Sequence, residues 1–135
     1  MQSLTTLGGA MIHFDPAGIN TIADHNDTTG EAATCVFGIT ENGLMIAEPV
    51  SDFMRRLGIE SGFARLTRGN GWPVWINRTA VSWFREARQS DYYKATVRTL
   101  VSVGGRINGV TEAVDQVRAA LNGTQAIAGS RGNGG

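Results

Sequence analysis

The sequence contains a single cysteine, no long apolar run and no leader-like N-terminus. Cys35 has no partner for an internal disulfide, which is typical of a protein in a reducing interior. No apolar run approaches the roughly 20 residues that span a bilayer, so no membrane partner is expected. The first residues, MQSLTTLGGAM, lack a basic stretch followed by an apolar core, which argues against a secretory signal. We expect a cytoplasmic protein of a bacterium or a phage-infected cell, with the virion as the alternative location.

Motifs of catalysis and metal binding are missing as well. The chain has no G-x-S-x-G, no Walker loop, no H-E-x-x-H and no paired cysteines. Asp24, His25 and Asp27 combine two carboxylates with an imidazole in a polar loop, a set that suits a divalent cation. Loop composition also produces such clusters without function, and the spacing is not that of a calcium loop, so metal binding there stays open. We predict a protein that is not an enzyme and needs no cofactor.

Self-similarity is the main feature that the sequence does contain. A displacement of 62 positions, from Leu4 to Leu66, superimposes turn residues and apolar positions of residues 3–57 on those of 65–121. After one small gap the two predicted helices also align, from Glu48 and Glu112 onward. We infer the duplication of one unit. The other aligned pairs are Gly9 with Gly71, Ile12 with Val74, Phe14 with Ile76, Asp15 with Asn77, Ile19 with Val81 and Ile22 with Phe84.

Turn residues and apolar spacing predict the same elements in each copy. Asp15 and Asn77 each follow an alternating strand and suit an Asx-type turn. An apolar stripe at helical spacing ends each copy: the first helix stops at Gly58, and the second is capped by Thr111 and ends at Asn122-Gly123. Dipeptides that supply the positive φ angles of tight hairpins are Gly8-Gly9, Asn42-Gly43, Asn70-Gly71 and Gly104-Gly105.

These elements predict an α+β fold, a tandem duplication of a small, curved, antiparallel β-meander that is barrel-like, with each copy closed by a C-terminal helix. We define the first half as residues 1–58 and the second half as residues 65–122, with 59–64 as the linker. Units of about sixty residues are marginal alone, so the halves should pack on each other or on a second chain. Residues 123–135 are predicted as a flexible Gly-rich tail, unless Ile127 anchors it on a neighbouring subunit or a ligand.

Formal charges are balanced overall but divided between the halves. Residues 1–57 contain two basic and seven acidic side chains, a net of −5, whereas residues 62–121 contain nine basic and four acidic, a net of +5. Neutral drift should not easily push two copies of one unit to opposite signs, so the division indicates a function. Either the acidic half of one chain meets the basic half of another, giving a head-to-tail ring or filament, or the basic half faces phosphate groups.

The predicted ligand-binding site is the loop at residues 87–96 with its flanking strands. Arginine and aromatic side chains together suit phosphate contacts and base stacking. Trp75 and Trp83 align with His13 and Thr21 in the first copy, so the shared fold does not require these aromatic rings. The alternative is a solvated charged loop with partly buried aromatic side chains. The predicted site residues are Arg85, Arg88, Tyr92, Tyr93, Lys94, Arg98, Trp75 and Trp83.

The second half reads G-W-P-V-W-I-N-R-T-A-V, then T-L-V, G-G-R and V-T-E-A-V-D-Q-V-R-A-A-L. This succession of turns and apolar positions resembles the small flagellar proteins of the FlbD type, and also the closing β-hairpin and helix of LytTR-type DNA-binding domains. The resemblance covers residues 65–121 and, more faintly, 3–57. It implies a small, non-enzymatic regulatory or binding module, and no site residues transfer from either family.

The sequence therefore predicts a non-enzymatic, oligomeric protein that binds nucleic acid or a nucleotide-like phosphate ligand on its second half. The alternative is a structural assembly protein, such as a virion or scaffold component, whose acidic and basic halves pair between subunits. Both hypotheses include self-association into a homo-oligomer.

Overall fold

Ten strands and two α-helices make up this computed structural model, which describes residues 1–26, 32–91 and 93–123. Tyr92, the side chains at positions 25, 26 and 32, and the predicted tail beyond Gly123 lie outside the description. The helices are α1 (Val50–Leu57) and α2 (Val114–Leu121). The strands are β1 (Gln2–Thr5), β2 (Met11–Phe14), β3 (Thr21–Asn26), β4 (Ala32–Phe37), β5 (Leu44–Ile46), β6 (Phe63–Thr67), β7 (Pro73–Asn77), β8 (Val81–Glu86), β9 (Thr99–Val103) and β10 (Arg106–Val110).

The order of elements in residues 2–57 recurs in residues 63–121. Each segment has two strands, a 3₁₀ turn, three strands and an α-helix. The second segment contains one additional 3₁₀ turn, Gln89–Asp91, in the long loop between β8 and β9. A single bridge joins the first hairpin of each segment to its last strand, and these bridges are Thr6 to Ile46 and Arg68 to Val110.

The strands form three open antiparallel sheets. One contains β1 and β2, one has the order β10-β9-β8, and the largest has the order β5-β4-β3-β7-β6. The predicted barrel-like unit in each half is therefore wrong. With only two helices of eight residues among the described elements, the fold is β-rich rather than an even mixture of α and β. The barrel does not form because the second edge of β3 pairs with β7 of the other half instead of turning back onto β2.

Asx turns lead from the second strand to the third in both halves, as predicted. Asp15 Oδ1 accepts a hydrogen bond from the Ala17 N–H at 3.0 Å and begins a 3₁₀ turn. Asn77 Oδ1 accepts one from the Thr79 N–H at 3.1 Å in the equivalent turn. These side-chain oxygens satisfy backbone donors where the chain leaves the sheet.

Positive φ angles occur in three of the four predicted hairpins, and the glycines concerned include Gly9 (89°), Gly71 (90°) and Gly105 (82°). The prediction at Asn42-Gly43 is wrong, because the positive φ of that loop lies at Gly38 (110°). A Cβ at Gly38 would stand 2.3 Å from the Gly18 carbonyl oxygen. The close approach of two backbone segments therefore requires glycine there.

The two helices begin and end through different contacts. Gly58 ends α1 in the left-handed region (φ 68°), as predicted. The predicted cap at Thr111 is wrong: Ala113 precedes α2, and its N–H donates to Gln116 Oε1 at 2.8 Å. The Thr111 N–H instead donates to the Thr67 carbonyl at 2.8 Å, which holds the bend before α2 beside the end of β6. No helix in the described ranges has the length and apolar character needed to cross a membrane.

Two apolar cores share strand β3. Adjacent residues of a strand point to opposite faces, and Ile22 belongs to the first core while Ala23 belongs to the second. The first core consists of Leu4, Phe14, Ile19, Ile22, Val36, Ile46, Val50, Phe53, Met54 and Phe63. The second core consists of Ala23, Ala64, Leu66, Val74, Ile76, Val101, Val103, Val110, Val117 and Ala120. Each core thus takes nine of these residues from one of the two repeated segments, 2–57 or 63–121, and one residue, Phe63 or Ala23, from the other.

Candidate interaction surfaces

The loop between β8 and β9 is fastened by an arginine that was predicted to bind ligand. Arg85 donates from both terminal nitrogens to Asp91, Nη1 to Oδ2 at 3.0 Å and Nη2 to Oδ1 at 2.9 Å. The Arg88 backbone N–H also donates to Asp91 Oδ2 at 2.6 Å. The guanidinium carbon of Arg85 lies 5.8 Å from the centroid of the Trp83 ring. Arg85 therefore connects the strand, the ring and the loop, and its planar fork is occupied within the chain.

These contacts change the ionisation of the pair. The hydrogen bonds from Arg85, followed by the one from the Arg88 backbone, lower the pKa of Asp91 from 3.8 to about 2. The same pair raises the pKa of Arg85 above its ordinary value. The Asp91 carboxylate neutralises part of the positive charge of the loop.

Other arginines of the second half also contact the chain itself. Arg68 donates to the Asp24 carbonyl at 2.7 Å. Arg78 donates from Nε to the Ala120 carbonyl at 3.0 Å and from Nη1 to the Ser61 carbonyl. Arginines that lie over aromatic rings in this half are Arg65 over Trp75, Arg85 over Trp83, Arg106 over Phe37 and Arg118 over Phe84. Much of the positive charge that suggested a phosphate site therefore has a structural role.

The exposed part of the predicted site is the outer surface of the same loop. Arg88, Tyr93, Lys94 and Arg98 are exposed, whereas Tyr92 lies outside the described residues. The loop folds back on the neighbouring turn, where the Thr96 hydroxyl donates to the Gly69 carbonyl at 2.8 Å. The structure thus groups three basic side chains and one tyrosine on one loop.

The two tryptophans of the predicted site lie in different environments. Trp83 is on β8 beside Arg85 and is 41% exposed. Trp75 is on β7, where it packs against the first core and Arg65 lies 5.8 Å from its ring centroid. Trp75 therefore serves the contact between the halves, and only Trp83 accompanies the loop.

The other reactive groups do not form a site in the described part of the chain. Within residues 1–26, 32–91 and 93–123, no group of three His, Cys, Asp or Glu side chains is arranged to hold a metal ion. In the predicted cluster at Asp24, the His25 side chain and Asp27 lie outside the described residues. Burial raises the pKa of the half-buried Cys35 thiol, which keeps the thiol protonated at neutral pH.

The halves are joined edge to edge by what we call the central joint, the pairing of Thr21–Ala23 in β3 with Val74–Ile76 in β7. At its end the Asn77 N–H donates to the Asn20 carbonyl at 2.9 Å, and Asn77 Nδ2 donates to the Ile19 carbonyl at 2.8 Å. The Arg106 guanidinium lies 4.4 Å from the Phe37 ring centroid and adds another contact between the halves.

The three sheets end in six strands. Bridges next to β1 and β6 join the first hairpin of each half to β5 and β10, at Thr6–Ile46 and Arg68–Val110. The other two end strands, β2 and β8, have no second strand partner in the described structure, and we call their outer edges the terminal edges. β2 exposes Met11 (64%) and His13, and β8 exposes Trp83. These edges were not predicted from the sequence. The alignment of the two halves, which matches β2 with β7 and β3 with β8, is the signal that could have predicted them. Comparisons of the chain with protein-family models, with curated proteins and with solved structures found no match.

Proposed function

We propose that this protein is a non-enzymatic structural subunit that assembles with copies of itself. The observation that carries the proposal is the pair of terminal edges, because β2 and β8 occupy the same places in the order of elements as the two strands of the central joint. If the halves arose by duplication, β8 is the equivalent of β3 and β2 is the equivalent of β7. The chain pairs β3 with β7 internally, and it leaves β8 and β2 open to pair with a neighbouring copy.

Unpaired strand edges promote association with other chains, and proteins usually cover or interrupt them. An open edge presents backbone N–H and C=O groups that pair readily with another chain. Here the terminal edges carry apolar side chains, with Trp83 41% and Met11 64% exposed. Exposed apolar side chains on an open edge favour a pairing partner over solvent.

The charges of the halves favour contact between unlike ends. β2 lies in the half with a net charge of −5 and β8 lies in the half with a net charge of +5. Opposite charge accelerates encounter and disfavours the pairing of two like ends. Added salt should therefore weaken association, because it screens charges that remain exposed.

Measurement of the mass in solution tests the proposal. We expect a mass above that of one chain, rising with protein concentration and falling with salt. Trp83→Asp should weaken association about tenfold or more, since it removes a large apolar contact and places a charge on the edge. Ile107→Asp is the matched control: Ile107 is 45% exposed but lies on β10, at the opposite end of the same sheet from β8, where the Arg68–Val110 bridge joins β10 to the first hairpin of its half. A monomer at every concentration, or equal effects of both variants, would contradict the proposal.

A second candidate function is the binding of nucleic acid or a nucleotide-like phosphate ligand by the β8–β9 loop. It is favoured by the exposure of Arg88, Lys94 and Arg98 beside Tyr93 on one loop. Such basic side chains contact phosphates, and an exposed tyrosine ring can stack on a base. This surface adjoins the β8 edge, because Arg85 connects the loop to that strand.

Fluorescence anisotropy with single-stranded and duplex oligonucleotides, over a salt series, tests this candidate. Replacing Arg88, Lys94 and Arg98 by alanine should reduce the slope of log K against log salt by about 2–3, because three phosphate contacts are removed. Arg55→Ala is the control, since Arg55 is an exposed arginine of the acidic half. Absence of salt-sensitive binding at low ionic strength excludes the nucleic-acid form. A thermal-shift screen with mononucleotides addresses the other form separately.

A further inference from the structure

We infer that β8 of one copy pairs antiparallel with β2 of the next in the register of the central joint, so that Trp83, Phe84 and Arg85 lie opposite Phe14, His13 and Ile12. This inference rests on the proposed self-assembly and adds the partner strand and the register. The partner is a second copy of this chain, and the contact joins unlike ends.

The central joint supplies the template for this contact. Its register places Thr21 opposite Ile76, Ile22 opposite Trp75 and Ala23 opposite Val74. The sequence alignment that relates the halves carries Thr21, Ile22 and Ala23 to positions 83–85, and it carries Val74, Trp75 and Ile76 to positions 12–14. The same pairing between two chains therefore uses only strands that each chain leaves at a terminal edge.

Burial at equivalent positions differs as the inference requires. At the central joint, Thr21 and Ala23 are 2% and 3% exposed, because the second half covers that face of β3. Their equivalents on β8, Trp83 and Arg85, are exposed and half-exposed. Phe84, the equivalent of Ile22, packs against the core of its own half, as Ile22 does. One face of β8 thus packs on the core of its own half and the other face is exposed, whereas both faces of the equivalent residues of β3 are buried.

The same comparison holds for β2 and β7. Phe14 belongs to the first core and Ile12 packs against it, as Ile76 and Val74 belong to the second core. The intervening residue of β7, Trp75, packs across the joint on the core of the other half. Its equivalent on β2, His13, is exposed. In the inferred pair, His13 lies over the second core of the preceding copy.

Local differences make the contact between chains weaker than the central joint. Asn77 donates its amide to the Ile19 carbonyl, whereas the equivalent Asp15 has a carboxylate that cannot donate. A β-bulge on β8 falls between Val81 and Trp83, so the regular stretch begins at Trp83. The three inferred pairs lie in that regular stretch. The contact between chains therefore lacks one hydrogen bond of the central joint, which lowers its affinity. We expect association that depends on protein concentration.

The symmetry of the contact determines the kind of assembly. Each copy offers one β2 edge and one β8 edge, so the contact is heterologous. Repetition of a heterologous contact gives a closed ring if the rotation closes and an open filament if it does not. A dimer that buries both edges in two identical contacts is the smallest closed case.

Cysteine cross-linking tests the register. In a Cys35→Ala background, His13→Cys with Phe84→Cys places two thiols directly opposite each other, where Cβ atoms are about 4.5–5.5 Å apart. Mild oxidation should give a ladder of covalent oligomers. The matched control, His13→Cys with Glu86→Cys, is two residues out of register and should give little. In the unmodified chain, amide exchange in residues 11–14 and 83–85 should slow as protein concentration rises, while residues 106–110 should not change.

The outcomes separate this inference from the proposed function. A ladder with the in-register pair, together with concentration-dependent protection of both edges, supports the inference. An oligomer by mass that shows neither result overturns the strand pairing and leaves self-assembly intact. A chain that stays monomeric at all concentrations overturns both. The exchange measurement decides the matter if a cysteine variant does not fold.

Discussion

At the scale of single residues, five of the eleven arginines of the sequence lie over aromatic rings. A guanidinium over a ring face combines cation–π attraction with weak hydration, which an ammonium group on lysine does not reproduce. For these five residues, arginine is favoured over lysine without a nucleic-acid partner. In the described residues these contacts are Arg56 over Phe53, Arg65 over Trp75, Arg85 over Trp83, Arg106 over Phe37 and Arg118 over Phe84.

Asp91 provides a prediction for pH dependence. Because hydrogen bonds from Arg85 and Arg88 lower its pKa to about 2 from 3.8, the folded chain holds this carboxylate ionised more strongly than the unfolded chain does. The contribution of the pair to stability is therefore fully present above the ordinary pKa and is lost as the pH falls through about 2. An NMR titration of the Asp91 carboxyl carbon should show the low midpoint. In Arg85→Gln the midpoint should move back towards 3.8, and an unchanged midpoint would contradict the assigned cause.

Gly104 and Gly105 form a matched pair for a second prediction. Both have positive φ angles, 57° and 82°, so alanine is strained at either position. A Cβ at Gly104 would also stand 2.0 Å from Asn20 Nδ2, at the contact between the halves, whereas nothing lies within 4 Å of one at Gly105. Gly104→Ala should therefore lower the free energy of unfolding by about 1–3 kcal/mol more than Gly105→Ala. Urea denaturation measures both, and equal losses would show that Asn20 moves aside at no cost.

At the scale of elements, the C-terminus of α1 offers a third prediction. The Gly58 N–H donates to the Arg55 carbonyl at 3.1 Å and the Ile59 N–H donates to the Met54 carbonyl at 3.2 Å. Gly58→Ala should destabilise the chain by about 1–2 kcal/mol, because an L-residue resists the left-handed conformation. Gly62→Ala is the control: Gly62 is exposed, has no positive φ and leaves open space for a Cβ. Chemical denaturation should separate the two variants.

The elements themselves could be predicted from local patterns. The alternation at Ile12–Phe14 and Val74–Ile76 and the Asx residues that follow are short-range signals, and the strands and turns lie where those signals place them. The end of α1 at Gly58 is equally local. The cap of α2 could not be found this way, because Thr111 is held by a hydrogen bond to Thr67 that depends on tertiary contact.

The strand pairing between the halves could not be predicted from the sequence, because strand edges of similar apolar character compete for the same partner. β3 could have met either β2 or β7, which have the same alternation, and no local signal distinguishes them. The contacts of the predicted site residues also depend on tertiary structure. Arg85 and Trp83 are near neighbours on one strand, so their proximity was predictable, whereas the pairing of Arg85 with Asp91 depends on how the long loop folds back.

At the scale of the whole molecule, the central joint connects the two cores, and we expect them to unfold as one cooperative unit. Phe63 of the second segment belongs to the first core, and Ala23 of the first segment belongs to the second. Loss of either core therefore exposes part of the other. Units of about sixty residues are marginal alone, which again favours a single transition.

Phe53 is the residue with which to test this coupling. It is fully buried in the first core, and its ring stacks on Phe14 with centroids 6.4 Å apart. Phe53→Ala should cost about 3–5 kcal/mol, a large share of the stability of a domain of this size. Under monomeric conditions, amide exchange of Leu100 and Val101 in β9 should accelerate by the same factor as that of β3, although both residues lie in the other half. Leu7→Ala, at an exposed site of the first half, should change neither rate appreciably. Retained protection of β9 in Phe53→Ala would show that the second half unfolds independently, because coupled cores must share the loss.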